Sequence, residues 1–442
     1  MAETIDKNSG ELRYAGDVNI ERVEIYSMAS GKSFDIKNQI LAIQIYEDLF
    51  SPFITGSLII KDSLDLINNL PYGGQEFVDL KIFTPTIDES AGAAGVIDDK
   101  FYIYKITDRE YVAEKSVVYQ IHFISTEAVI DLNQSISSAF KGKISGIVST
   151  LVKDPAYLAS EKALILEDTK NETKFVSNYW SPVKCINYTL QQATNKNGST
   201  TYLFFENRAG FNFVTLDYLN EKDPHQYFRY GPSTMDVSKH GSSTRVLDRD
   251  FQKILEISVA TGFDYIDRVR HGTFASKQIV HDFTTKRYKT VHYDYLKKFY
   301  GSNETRLNSF ALTTEEILAR VGSMVITTET ENQLFTGFGD VSNSKAIQDR
   351  ISRMKQAESF KVTIKVKGRT DYTVGQVVYL DISTASPTEE ADTPEESVDK
   401  MFSGNYLISA INHYLGKEEG HECIIEVIKD SLIFDLTTGK TS

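Results

Sequence analysis

Cysteine is almost missing from this chain. Cys185 and Cys423 are the two in 442 residues, and no CxxC occurs. That argues against a disulfide framework or a zinc site and fits two buried thiols in a reducing cytoplasm. No apolar run approaches the ~18 residues that a membrane-spanning helix needs. The opening MAETIDKNSGE has no apolar core of a signal peptide. The expectation is synthesis in the cytoplasm without membrane insertion. Catalytic signatures are missing too: there is no HExxH, no GxSxG and no P-loop. The eight histidines are scattered. His281 and His292, like His413 and His421, are spaced too far apart for a metal pair on one helix. Alternating strands could bring some together, but neither a metal site nor a cofactor is expected. Positive charge is in deficit, with 48 Lys and Arg against 61 Asp and Glu, a net charge of -13. Affinity for phosphates comes mostly from Lys and Arg, so general nucleic-acid binding is disfavoured. Lys286-Arg287-Tyr288 and Lys297-Lys298-Phe299-Tyr300 interleave basic and aromatic residues, and they read as a surface with snorkelling lysines.

What is present is strand-forming material. Apolar residues make up 41 % of the chain, with 24 Tyr and 25 Phe, which favours sheets. The length suggests about three domains. Residues 1–17 are polar and read as a flexible N-terminus. Alternating apolar residues predict strands at 18–26, 39–47, 53–61, 75–83, 101–108 and 117–125. Asp62 and Ser63 cap a short helix that ends at Pro71, Gly73 and Gly74. Residues 18–130 thus read as one antiparallel β-barrel. Residues 131–245 read as a mixed α+β module. It holds an amphipathic helix within 135–153, a second helix after Pro182 and a hairpin turning at 208–210. Strand character returns in 246–300 and 358–435. Between them, 301–357 is polar and reads as a helical insertion of unassigned role, and 436–442 is a short tail.

The two β regions echo one another. In the first, Gly74-Gln75 opens a strand. An acidic loop over 84–100 follows, then FYIYKITDREY, a charged turn and VVYQIHFIS. In the second, Gly375-Gln376 opens a strand. An acidic loop over 384–400 follows, then NYLISAINHY, the turn GKEEGH and ECIIEVI. The strand FITGSLIIKD, ending at Asp62, is matched to TFASKQIVHD, which follows Gly272 and ends at Asp282. The predicted class is α+β, predominantly β: two similar antiparallel barrels with inserted mixed and helical modules. Gly56, Asp62, Gly73, Gly74, Gly272, Asp282 and Gly375 are the structural positions of that barrel motif. No catalytic residue is assigned.

The pattern FxTGxLxIxD, a short helix, then LPxxGxExVxLxIF resembles the N-terminal barrel of baseplate hub proteins of contractile-tailed phages. Here it reads Phe53, Thr55-Gly56, Leu58, Ile60, Asp62, then Leu70-Pro71, Gly74, Glu76, Val78, Leu80 and Ile82-Phe83. FSGNYLISAINHYL, residues 402–415, is similar to the closing strands of that family, which recur in the hub-like region of type VI secretion spike proteins. The resemblance implies a tail-tube-like fold and a non-enzymatic homotrimer whose six barrels form a pseudo-six-fold ring. It implies the tail tube protein, a trimeric central spike and baseplate wedge proteins as partners. It also implies DNA passing through the lumen without specific binding, and a place in the virion tail. A contractile bacteriocin or type VI-like hub, and a carbohydrate-binding or hydrolytic tail protein, are the alternatives.

Overall fold

A computed structural model describes residues 14–28, 31–69, 73–85, 95–113, 116–231, 246–261, 264–282, 286–314, 324–329, 343–384, 398–417 and 419–438. Leu70, Pro71, most of the two acidic loops and Ile317, Leu318 and Val321 of the predicted insertion lie outside these residues.

The first unit holds β1 (Asn19–Ser27), β2 (Lys32–Asp35), β3 (Ile40–Asp48), β4 (Thr55–Asp62), β5 (Glu76–Phe83), β6 (Val96–Ala113) and β7 (Ser116–Ser125). In β5 every second residue is buried, as a half-buried strand requires. Ile43, Leu58, Leu80, Ile121 and Phe123 meet in its core. β6 begins within the predicted acidic loop. Its Asp98 is tolerated there because Arg22 on β1 bridges Asp79 and Asp98 across neighbouring strands.

The middle module holds β8 (Ala139–Lys143), β9 (Leu164–Leu166), β10 (Glu172–Val176), β11 (Tyr202–Asn207), β12 (Gly210–Thr215) and β13 (Gln226–Tyr230). The predicted helix within 135–153 is shorter than expected: it covers Ile144–Lys153, and β8 takes the residues before it. Ile144, Ile147, Val148, Leu151 and Val152 form its buried face. Helix Pro182–Leu190 starts with Pro182 in its first turn, and Ser181 Oγ accepts from Lys184 N–H at 3.3 Å.

The remainder holds β14 (Ile254–Thr261), β15 (Ala275–Asp282), β16 (Arg287–Asp294), β17 (Met324–Glu329), β18 (Phe360–Lys367), β19 (Val377–Ile382), β20 (Gly404–Gly416) and β21 (Gly420–Lys429). The span predicted as a helical insertion contains a strand, β17, as well as the helix Asn343–Ala357.

Thirteen strands form one sheet in the order β14-β18-β21-β20-β3-β4-β7-β6-β5-β1-β2, with β19 beside β20 and β13 parallel to β19. The protein is predominantly antiparallel β, as expected. Among the described residues, however, the sheet is an open path, and no closed barrel forms within it.

Five strands of the first unit recur in the last. β3-β4-β7-β6-β5 pair in that order, and so do β14-β18-β21-β20-β19. The match extends to single pairs. Ile43 opposite Leu58 opposite Ile121 stands where Ile257 opposite Ile364 opposite Ile425 stands. Two register shifts coincide as well. β3 slips against β4 between Ile40 and Ala42, and β14 slips against β18 between Ile254 and Glu256. β6 slips against β7 between Ile103 and Lys105, and β20 slips against β21 between Ile408 and Ala410. Shared bulges give each copy the same local bend and twist.

This geometry corrects one sequence match. The counterpart of β4 is β18, not the strand ending at Asp282. That strand, β15, pairs with β16 and β17 in a separate three-stranded sheet.

Buried ions lock the helix Asn343–Ala357 to its surroundings. Arg353 is fully buried and faces Asp217, Glu304 and Asp430. Burial disfavours its charge, but the three carboxylates outweigh burial and hold it protonated. Replacing it with Leu strands those carboxylates. Arg353→Leu should destabilise the fold by about 3–5 kcal/mol, measured by chemical denaturation monitored by circular dichroism.

Candidate functional site

The glycines of the motif serve backbone geometry. Gly56 lies in β4 under Phe123. A Cβ there would sit 2.2 Å from Phe123 Cζ and 2.5 Å from the Gln44 carbonyl oxygen. Gly74 and Gly375 each open the corresponding strand of their copy, both with φ +82. Glu76 gathers the first of these turns: its carboxylate accepts from the backbone N–H groups of Gly73 (3.0 Å), Gly74 (2.9 Å) and Gln75 (3.0 Å). Gln376 does the equivalent in the second, where its Oε1 accepts from Thr373 N–H at 3.0 Å. Asp62 is buried, and its carboxylate accepts from Leu64 N–H (2.9 Å) and Leu66 N–H (2.8 Å) at the entry to the short helix. Gly272 has φ +72 and ends the helix Tyr265–Arg270. It lies in the turn before β15, and Asp282 is the last residue of β15, in the separate sheet. The structure therefore does not bring the seven positions together. They act as turns, caps and close approaches.

Strand edges are the more informative feature. β20 is long enough to use one side twice. Gly404–Leu407 pairs with β19, and Ala410–Gly416 pairs with β3 of the first unit. That second pairing is the seam between the two copies. β6 has the same length advantage: it pairs with β5 as far as Tyr102 and then runs on as a hairpin with β7 to Ala113. Beyond Tyr102 its other side pairs with no strand among the described residues. β14, the counterpart of β3, pairs with β18 alone and ends the sheet. Both open edges carry exposed apolar residues: Tyr104, Tyr111 (75 % exposed) and Val112 on β6, and Leu255 and Val259 on β14. An unprotected edge of this kind is a template for pairing with another chain.

Buried polar groups line the seam. Glu47 on β3 accepts from Arg208 Nε at 3.0 Å and from Val374 N–H at 3.1 Å. Beside it, His413, His421 and Cys423 converge, all with no solvent exposure. His413 Nδ1 lies 3.1 Å from His421 Nε2, and Cys423 Sγ lies 3.3 Å and 3.6 Å from these two nitrogens. Burial drives both histidines well below their ordinary range and pushes the thiol up to about 12. Eight residues apart, the two histidines are no pair on one helix. Antiparallel pairing of β20 with β21 is what joins them: His413 lies directly opposite Cys423.

Lys429 is a further buried ion, its Nζ donating to the carbonyls of Met401 (2.6 Å) and Ser403 (3.1 Å). Burial lowers its pKa to about 7, against the pull of Asp399.

No protein-family model matches the chain. It is 22% identical over 428 residues to the "Probable baseplate hub protein gp334" of Vibrio phage KVP40, covering 91% of this chain and 93% of that protein. Two solved structures share the fold. The tail protein from Neisseria meningitidis MC58 superposes with a TM-score of 0.54 at 11% identity, covering 94% of this chain and 97% of that one. The 43 kDa tail protein of prophage MuSo2 from Shewanella oneidensis does so at 0.50 and 10% identity, covering 93% and 98%. The resemblance to baseplate hub proteins read from Phe53 to Phe83 thus extends over most of the chain.

Gly56→Ala should cost about 3 kcal/mol, because the opposing Gln44 backbone cannot yield. Gly74→Ala should cost about 1 kcal/mol, for the left-handed conformation alone; urea denaturation separates the two. For Lys429, the unfolded chain holds a proton up to about pH 10.4 that the folded chain sheds near 7. Stability contributed through this group should therefore rise between pH 7 and 9. Lys429→Met should flatten that slope in the urea midpoint.

Proposed function

We propose that this chain is the structural hub of a phage tail baseplate, a non-enzymatic homotrimer whose three copies present six near-equivalent β units. The observation that carries this reading is the in-register repeat with one complementary pair of edges left over. Within the chain, the β6-type edge of the second copy, on β20, pairs with the β3 edge of the first. The remaining β6-type edge is β6 itself, and the remaining β3-type edge is β14. A contact of that kind between chains is head-to-tail and generates a ring when its rotation closes. Three chains of two units give the six-fold count of a tail tube on one side and match a trimeric spike on the other.

The tail tube protein, the trimeric central spike and wedge proteins are the partners of this reading, and the assembled place is the virion tail. Phage DNA passes through the lumen on ejection without sequence-specific contacts, which the charge of -13 suits. The similarity to the phage KVP40 hub protein over 91% of the chain supports the assignment.

Carrying the β3–β20 register across to the open edges places Thr107, the counterpart of Asn412, opposite Ala260 of the next copy, the counterpart of Tyr46. A Thr107→Cys, Ala260→Cys double variant should form disulfides between chains on mild oxidation. The ladder on a non-reducing gel should end at three chains. A chain that stays monomeric in light scattering and gives no linked species would sink the proposal.

A further inference from the structure

The cluster at the seam is poorly served by hydrogen bonds alone. His413 Nε2 lies 3.1 Å from the Tyr372 carbonyl oxygen. A carbonyl only accepts, so Nε2 carries the proton and Nδ1 presents a lone pair. That lone pair faces both His421 Nε2, at 3.1 Å, and Cys423 Sγ, at 3.3 Å. If His421 Nε2–H donates to it, the thiol hydrogen of Cys423 must share that acceptor. If the thiol donates instead, His421 Nε2 either aims its own lone pair at that of His413 or competes for the same acceptor. Neutral side chains meet all three contacts only through shared three-centre bonds, with His413 Nδ1 accepting from two donors, and all three side chains are fully buried.

A cation at the centre satisfies them together, through two imidazole lone pairs and a thiolate. The dimensions agree. Metal–nitrogen bonds of about 2.0 Å and metal–sulfur bonds of about 2.3 Å at tetrahedral angles set nitrogen–nitrogen edges near 3.3 Å and nitrogen–sulfur edges near 3.5 Å. The observed edges are 3.1, 3.3 and 3.6 Å. The hydrogen bond from His413 to the Tyr372 carbonyl is the outer contact by which ligating imidazoles are oriented. The other copy of the repeat lacks the cluster. There, Tyr119 stands where Cys423 does and Val117 where His421 does. The three residues are therefore an addition to the strand pattern and not a requirement of it.

We propose that His413 Nδ1, His421 Nε2 and Cys423 Sγ bind a structural zinc ion, with a water at the fourth corner. Binding releases the thiol proton of Cys423 to solvent and leaves the thiolate on the metal. The ion would tie β20 to β21 where β20 crosses to the first unit.

The test uses the full chain, free of any histidine tag, grown with added zinc and dialysed. Elemental analysis should find about one zinc per chain. Protein grown with cobalt should show thiolate-to-cobalt charge-transfer absorption and the intense visible bands of a four-coordinate ion. Cys185→Ser should keep both signals, and Cys423→Ser with His421→Asn should lose them. Less than about 0.1 metal per folded chain, or metal unchanged in the double variant, overturns the proposal. If the double variant fails to fold, the wild-type cobalt spectrum decides, since a bound ion without thiolate charge transfer overturns it equally.

Discussion

The pairing of β20 with β3 is the constraint on which the rest depends. It turns two copies of one strand pattern into a single sheet, and it fixes their relation through backbone hydrogen bonds rather than through a flexible linker. Because side chains alternate along a strand, a slip of one residue at this seam would send His413 to the opposite face and Glu47 away from Arg208. The seam is correspondingly over-specified. Arg208, Glu47, Val374 and the His413 cluster meet within it. A buried ion pair contributes little net stability, because desolvation offsets attraction. What it does impose is a penalty on every arrangement that leaves one partner alone.

The same logic joins the middle module to the two β units. Lys162 reaches Asp99 and Glu127 of the first unit and Glu206 of the module. Ile54 N–H donates to Glu206 at 3.0 Å. Arg353 does the corresponding work between the helix Asn343–Ala357, Asp217 of the module and Asp430 past β21. These are orienting contacts between separate parts of the fold.

Much of this was legible in the sequence. The alternation in EFVDLKIF and FKVTIKVK is strand periodicity in plain form, and each predicted strand of the first unit lies within a residue or two of one observed, β6 excepted. The second copy was legible in its glycine turn and its long acidic loop. Its partner strand is mismatched in the sequence, because TFASKQIVHD shares the terminal Asp of FITGSLIIKD, whereas FKVTIKVK, which shares the apolar alternation, does not. Pairing, not composition, identifies β18, and pairing is a long-range property. The acidic start of β6 was hidden because charged residues read as loop unless their cross-strand partner, here Arg22, is known. The open edges were invisible for the same reason. The cluster at His413 escaped because helical spacing cannot reveal neighbours on adjoining antiparallel strands.

The seam also sets the order in which this chain can be made. β3 is complete after 48 residues, but the strand that covers it ends at Gly416. A nascent chain must therefore carry an uncovered β3 edge, rich in Ile and Leu, while the following modules are synthesised. Contacts so distant in sequence form late, and an exposed edge in the interval invites the wrong partner. The core of the first copy takes in Leu415 of β20, so it is complete only when that last neighbour arrives. Premature termination anywhere before β20 would leave the β3 edge bare and that core short of Leu415, and this is the species a cell making this protein has most reason to keep apart.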